Sequence, residues 1–357
     1  MEKKSKSICI VSPFPPPYGG MAIQAEKMMS LLRNDGFRVL PVRTNPSLQP
    51  GFISNMKGLR TFIGVLRFLG NLKMALNQTD IVYFLTGFFD FFFWVTYPAL
   101  ILIKMSRKKV ILSARGGEAA LFFKKYQWLI KPIMKSVDTI SVPSSFLEGV
   151  FRETFNIRAT VVPNIADLEQ FVFRERMTLR PKLIVTRNLE RMYNVACVVK
   201  AFKEVHDRFP ESILGIIGDG PERSELEELV GELGLKNCTT FYGVIPHAQI
   251  QNYYDEYDIF LNASNVDNLP GVILEAFACG LPVVSTKSGG IPYIVRDGFT
   301  GLLVEKEDFK GMASQVGKLL ENPETALTLT RNARKECEKF SWGSIRKVLY
   351  PLLERSL

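Results

Sequence analysis

Short apolar runs alternate with amphipathic stretches from one end of this chain to the other, and few architectures tolerate that order. Candidate strands lie at Ile8–Ser12, Phe37–Val42, Ile81–Leu85, Val110–Ser113, Thr139–Val142 and Thr160–Val162. The scheme then repeats at Leu183–Thr186, Ile213–Ile217, Thr239–Tyr242, Ile259–Asn262 and Pro282–Ser285. Between the strands, Met21, Ala25, Met28, Met29 and Leu32 mark a helical stripe. Val195, Val198, Val199, Phe202 and Val205 mark a second; Leu226, Leu229, Val230 and Leu233 mark a third, which Gly234 closes as a C-cap. Strands that alternate with helices pair in parallel and need helices on both faces, so the pattern predicts an α/β chain of doubly wound sheets.

At roughly 150 residues per domain, 357 residues make about two domains. The charged, polar stretch Asp167–Pro181 falls between two strand runs and is the natural linker. Two Rossmann-like domains follow, 1–170 and 171–340, with a cleft between them and ligands at the carboxyl ends of the strands. The 5 scattered Cys residues show no CxxC spacing and read as small hydrophobes in a reducing compartment. The basic N-terminus offers only a four-residue apolar run before Ser12, too short for a signal-peptide core. Phe88–Ile103 is interrupted by Asp90 and falls short of the ~20 residues a bilayer needs, which leaves a buried helix or an interfacial contact. A soluble, cytoplasmic protein is expected. Residues 1–172 hold 22 Lys and Arg against 11 Asp and Glu, whereas the remainder holds 23 against 25. The first half is therefore the one that needs an anionic partner.

Two segments could carry chemistry. Pro13-Phe14-Pro15-Pro16-Pro17-Tyr18-Gly19-Gly20 joins the first strand to the first helix, and its paired glycines serve either an anion at the helix N-terminus or a tight turn. No GxGxxG fingerprint or Walker A lysine is present. The second segment is Asp267-Asn268-Leu269-Pro270-Gly271-Val272-Ile273-Leu274-Glu275-Ala276-Phe277-Ala278-Cys279-Gly280. Pro270 suits a first helical turn and Gly280 an end, so a short helix from about Pro270 to Cys279 presents the free amides of Gly271 and Val272 to a phosphate. Asp267 at its mouth and Glu275 two turns inside suit hydroxyls that flank a phosphate. They also suit a helix cap and a buried, paired acid.

With these residues in view, the chain resembles the retaining glycosyltransferases of the GT-B fold, family 4 type (glycosyl transferases group 1). The resemblance is carried by the Gly19-Gly20 loop, by RNLERMYN at 187–194 and GDGPER at 218–223. DNLPGVILEAFACGLPVVS at 267–285 and GGIPYIVRDGFTGLLV at 289–304 add to it, with VPNIAD at 162–167 as the hinge. It implies a GT-B fold whose C-terminal domain holds a nucleotide sugar while the N-terminal domain presents the acceptor. The last helix, 341–357, would pack back on the first domain. By the same resemblance Glu275 bonds the ribose hydroxyls and Asp267 the transferred sugar, while the Gly271 and Val272 amides hold the diphosphate with help from Gly20. Arg187 neutralises the departing phosphate. Gly218 and Asn268-Leu269-Pro270 line the same donor site. No cofactor or metal ion is implied beyond the nucleotide sugar itself, with UDP the commoner nucleotide.

Three departures from the family pattern stand out. Asp267 occupies a position where Glu is usual. Met192 falls where a lysine usually follows the phosphate arginine, with Arg191 beside it as a substitute. The loop after Val110–Ser113 reads Ala114-Arg115-Gly116-Gly117-Glu118 where a histidine is common. Arg115 and Glu118, with Gly19, Gly116 and Gly117, then fall on the acceptor side; Arg115 either meets an anionic group or is a solvated loop residue. His206 is expected at a packing edge and His247 at the surface or as a cap, and neither as a catalytic base. Lys124, Lys125, Lys131 and Lys135 share a helix with Phe122, Tyr126 and Trp128, a pattern that suits peripheral docking on an anionic membrane or simply a basic face over buried aromatics. No nucleic-acid module is present. The expected activity is sugar transfer with retention to a saccharide or lipid-linked acceptor in cell-envelope polysaccharide assembly. The rivals are a catalytically silent nucleotide-sugar binder and a nucleotide-sugar 2-epimerase.

Overall fold

The computed structural model describes residues 7–16, 19–45, 57–116, 118–166 and 168–355, with only the backbone of 57–60. The chain forms two compact units, Met1–Ile165 with Trp342–Leu357, and Ala166–Ser341. In the first, a six-stranded parallel sheet is built from β1 (Ser7–Ser12), β2 (Arg38–Arg43), β3 (Ile81–Thr86), β4 (Lys109–Ala114), β5 (Thr139–Val142) and β6 (Thr160–Val161), in the order β2-β1-β3-β4-β5-β6. Helices α1 (Gly20–Asn34), α2 (Lys57–Leu76), α3 (Tyr97–Met105), α4 (Ala119–Ser136) and α5 (Ser145–Phe155) connect them. β1 and β3 are buried along their whole length, as strands covered on both faces must be. The run expected as a buried helix or an interfacial contact is a π-helical turn, Phe92–Thr96, that continues into α3. Phe92, Thr96, Leu100 and Ile103 face the core, while Trp94 and Met105 face outward. Among the described residues, no helix is long and apolar enough to cross a membrane.

The second unit repeats the plan with β7 (Lys182–Thr186), β8 (Ile213–Ile217), β9 (Thr239–Gly243), β10 (Ile259–Asn262), β11 (Val283–Thr286) and β12 (Leu302–Val304), ordered β12-β11-β10-β7-β8-β9. Its helices are α6 (Val195–Arg208), α7 (Arg223–Glu232), α8 (Ile250–Glu256), α9 (Gly271–Ala278), α10 (Phe309–Glu321) and α11 (Pro323–Cys337). Every strand read from the sequence is present within about a residue. β12 was not read, because three residues between a glycine-rich turn and a charged loop carry no period. In both sheets the chain runs outward from a first strand and then jumps to its other side: between β1 and β3 in the first, between β7 and β10 in the second. Such switch points open a crevice at the carboxyl ends of the strands.

The stretch expected to link two domains at 170/171 is instead built into the second unit, and the division falls at Ile165/Ala166. Phe171 is buried in that unit's core. Arg174, Arg176 and Arg180 all pair with Asp258, whose side chain is 2% exposed. Arg176 is buried and uses every nitrogen: Nε to Asp258 and the Tyr257 carbonyl, Nη1 to the Arg174 and Cys279 carbonyls, Nη2 to those of Tyr254 and Tyr257. Burial and the neighbouring Arg174 charge pull its pKa down to about 10, still well above neutrality. Charge density in the sequence signalled a solvated linker; the single carboxylate that collects these charges lies far along the chain.

The last helix, α12 (Trp342–Arg355), belongs to the first unit and buries Ile345, Leu349, Leu352 and Leu353 among Ile8, Ile10 and Val162. Asp35 anchors it: Trp342 Nε1 donates to Oδ2 at 2.8 Å, and the Tyr350 hydroxyl donates to the same oxygen. These bonds, Tyr350 first, hold the Asp35 carboxyl below its ordinary 3.8. A carboxyl depressed in the folded state stabilises the fold above its unfolded value, and that stabilisation is lost as pH falls through the folded one. Asp35→Asn should therefore cost about 1 kcal/mol at neutral pH. Melting curves of the two proteins should stay apart down to about pH 5 and converge below about pH 4; a gap that persists in acid would contradict this account.

Candidate active site

The second unit gathers its chemistry at the switch point between β7 and β10. Arg187 follows the last residue of β7, and its backbone N–H bonds the Ile217 carbonyl at the end of β8 at 2.9 Å. Gly218 explains how the two loops can lie so close. It has φ +130°, and a Cβ there would fall 1.9 Å from the Arg187 carbonyl oxygen. Gly218 thus acts on the site by admitting the Arg187 backbone.

The Arg187 guanidinium is held on three sides. Nε donates to Asn262 Oδ1 at 3.0 Å, Nη2 donates to Asp267 Oδ2, and the group stacks 4.7 Å from the centre of the Tyr193 ring. Asn262 is itself fixed, since its Nδ2 donates to Ser285 Oγ at 2.9 Å and its Oδ1 also accepts from Ser264 Oγ. The side chains of Arg187 and Asp267 are 11% and 14% exposed, so the pair is largely desolvated yet reachable. Asp267 Oδ1 accepts the Asn268 amide, and its backbone carbonyl accepts the Gly290 amide. A Cβ on Gly289 or Gly290 would lie 1.9 Å from the Asp267 or Asn268 carbonyl oxygen. The paired glycines at 289–290 therefore let the acidic loop lie flat on the next one. Asp267 does not cap a helix; it pairs with the arginine.

α9 begins at Gly271 behind Pro270, and no side chain caps it, so the Gly271 and Val272 amides carry the helix's free positive end. Asn268 and Leu269 are buried beneath that turn. Glu275 lies one turn in, with its side chain 18% exposed. Its Oε2 accepts from the Tyr254 hydroxyl at 3.0 Å and its Oε1 meets His247 Nε2 at 3.0 Å. Tyr254 is fully buried and also lies 3.0 Å from Thr186 Oγ1. His247 is at the surface as expected, with its side chain 49% exposed, and from there its Nε2 reaches Glu275, with Phe171 edge-on at 5.9 Å between centroids. His206 is at a packing edge, against Phe202 and Ser212. Arg191 is exposed in a 3-10 turn, Arg191–Tyr193.

In the first unit, Gly19 is the N-cap of α1 and Gly20 its first residue, and Cβ atoms there would meet open space. Their pairing serves access rather than packing. Arg115 is 7% exposed, which overturns the solvated-loop reading. Nε donates to Ser113 Oγ at 3.2 Å, Nη1 donates to Asn164 Oδ1, and Nη2 is buried without a partner. Burial depresses its pKa against the opposing effect of Tyr83, and among the described residues no carboxylate pairs with it. Gly116 takes φ +135° beside the Phe88 ring, Glu118 is exposed at the start of α4, and Gly117 lies outside the described residues. Of the Cys residues, Cys9, Cys197, Cys279 and Cys337 are buried, and burial raises the Cys9 and Cys337 thiols to about 12, which leaves them unreactive.

The glycosyl transferases group 1 family model matches residues 169–336, nearly the whole second unit. That unit belongs to the glycosyl transferases group 1 family. Among relatives, the D-inositol 3-phosphate glycosyltransferase of Corynebacterium jeikeium is 31% identical over 237 residues, 61% of this chain and 56% of that protein. The sulfoquinovosyl transferase of Arabidopsis thaliana is 27% identical over 70% of this chain and 52% of its own. This chain thus spans about half the length of these group 1 relatives. Of solved structures, a sucrose-phosphate synthase from Thermosynechococcus elongatus superposes with a TM-score of 0.79 at 20% identity, over 98% of each chain. HepE of Anabaena, solved in complex with UDP, gives 0.76 at 16% identity over 98% of this chain and 100% of that one. These likenesses are of fold, and the fold is GT-B.

Proposed function

We propose that the protein is a retaining glycosyltransferase that moves a sugar from a nucleoside diphosphate sugar to a saccharide or lipid-linked acceptor in cell-envelope polysaccharide assembly. The observation that carries this reading is the Arg187–Asp267 pair beside the uncapped start of α9. Breaking a sugar–phosphate bond loads negative charge on the diphosphate. A guanidinium locked by Asn262 and Tyr193 meets that charge without reorganising. As the diphosphate takes Arg187, Asp267 is released to bond hydroxyls of the transferred sugar. The Gly271 and Val272 amides complete the phosphate cradle, and Glu275 takes the ribose. UDP is the favoured nucleotide, in keeping with the UDP complex of HepE.

On the acceptor side, Arg115 supports an anionic group, because a buried guanidinium with no counterion among the described residues is costly unless a ligand supplies one. Relatives named for inositol 3-phosphate and for a phosphatidylinositol monomannoside act on acceptors of that kind. Trp128 is 75% and Leu121 59% exposed on α4, whose Lys124, Lys125 and Lys131 suit contact with an anionic membrane surface.

The test is thermal stabilisation by UDP-, GDP-, ADP- and dTDP-sugars, with and without magnesium, on the wild type and on Glu275→Ala. A ligand at ~100 times its dissociation constant adds about 2.7 kcal/mol. One nucleotide is expected to stabilise the wild type and leave the variant unmoved. Binding without any slow donor hydrolysis would favour a silent binding protein, and a product of inverted anomeric configuration would overturn retention.

A further inference from the structure

We infer that Tyr254 and His247 are positioning residues that make the Glu275 carboxylate a receptor for a vicinal diol, and so set the preference for ribose over deoxyribose in the donor. The inference rests on the donor site proposed above. A carboxylate offers about four lone-pair positions on its two oxygens. Tyr254 occupies one on Oε2 and His247 one on Oε1, both at 3.0 Å, which leaves one on each oxygen. Two free positions on adjacent oxygens match two adjacent hydroxyls. A glutamate at the surface of a helix has three rotatable bonds and no fixed orientation; held from both sides, this one is aimed before any ligand arrives.

The direction of the hydrogen bonds is set by the chemistry of the partners. Glu275 as a carboxylate only accepts, so the Tyr254 proton goes to it, and Thr186 Oγ1 in turn donates to the tyrosine oxygen at 3.0 Å. Such a relay strengthens each bond in it. Burial raises the Tyr254 pKa well above 10, so the hydroxyl remains a donor across the working pH range. His247 is held by Phe171 on one edge and Gln170 near Nδ1, an arrangement that presents Nε2 to the acid. Tyr254 is otherwise a core residue, and among the described residues its hydroxyl serves Glu275 and the buried Thr186 hydroxyl.

Binding of UDP and 2′-deoxy-UDP, and of GDP and 2′-deoxy-GDP, to the full-length protein tests this by calorimetry. The wild type should prefer the ribonucleotide by about tenfold or more. Tyr254→Phe keeps the ring; it should lose most of that preference while its affinity for the deoxynucleotide stays unchanged. His247→Ala, at a half-exposed position, should reduce the preference by a few fold. A residue that only supports the fold would weaken both nucleotides alike, and that outcome, or an unchanged preference in both variants, overturns the inference. If Glu275→Ala binds the ribonucleotide as the wild type does, the donor site itself falls, and the inference with it.

Discussion

Asp258→Ala should destabilise the second unit strongly, by about 3–5 kcal/mol, because it strips the counterion from a buried guanidinium. Asp258 is buried, and burial alone would raise its carboxyl pKa. Bonds from the Arg180 side chain and backbone, with the Arg180 and Arg176 charges, hold it below the ordinary value instead. With the carboxylate gone, Arg174 and Arg180 can turn to water, being 40% and 49% exposed, but Arg176 cannot. It would keep its carbonyl acceptors and lose its charge partner. For a unit of this size the melting transition should fall by roughly 10 °C. A double variant, Asp258→Ala with Arg176→Met, should recover part of the loss. If the single variant melts within about 2 °C of the wild type, the carbonyls alone carry the arginine and the ion pair contributes little.

The second large effect concerns turnover. Arg187→Met keeps the bulk of the side chain and removes the charge, and it should lower the transfer rate by about 10²–10³-fold. The loss should appear in kcat as well as kcat/KM, since the charge Arg187 meets grows as the bond breaks. Arg187→Lys should recover little, because one ammonium cannot reach the Asn262 amide, stack on Tyr193 and face the phosphate together. A variant with raised KM and unchanged kcat would make Arg187 a binding residue only.

How far the sequence could be read follows from which signals are local. Strands such as Ile81–Thr86 and stripes such as Val195–Val205 announce themselves, because periodicity lies in consecutive residues. Asp267, Pro270 and Glu275 were legible for the same reason, as one uninterrupted loop and helix. Tyr254, His247 and Asn262 were not, since each acts on a residue far away in the chain. Asn262 left a trace, a lone amide at the end of an otherwise apolar strand, and Tyr254 left another, a hydroxyl on the buried side of α8. The three arginines after Leu168 misled for the converse reason: their partner, Asp258, lies some eighty residues on.

The return of α12 to the first unit has a consequence for how the polypeptide is made. The second unit begins and ends side by side, with the Ala166 amide bonded to the Phe340 carbonyl, so it is a self-closed cassette set into the first. As the ribosome releases the chain from the N-terminus, the unit started second is finished first. The first sheet meanwhile waits with Ile8, Ile10 and Val162 uncovered until the final helix emerges. A nascent chain cut off before Trp342 therefore holds a complete cassette and a first unit whose hydrophobic face is still open, the kind of surface that chaperones and proteases recognise.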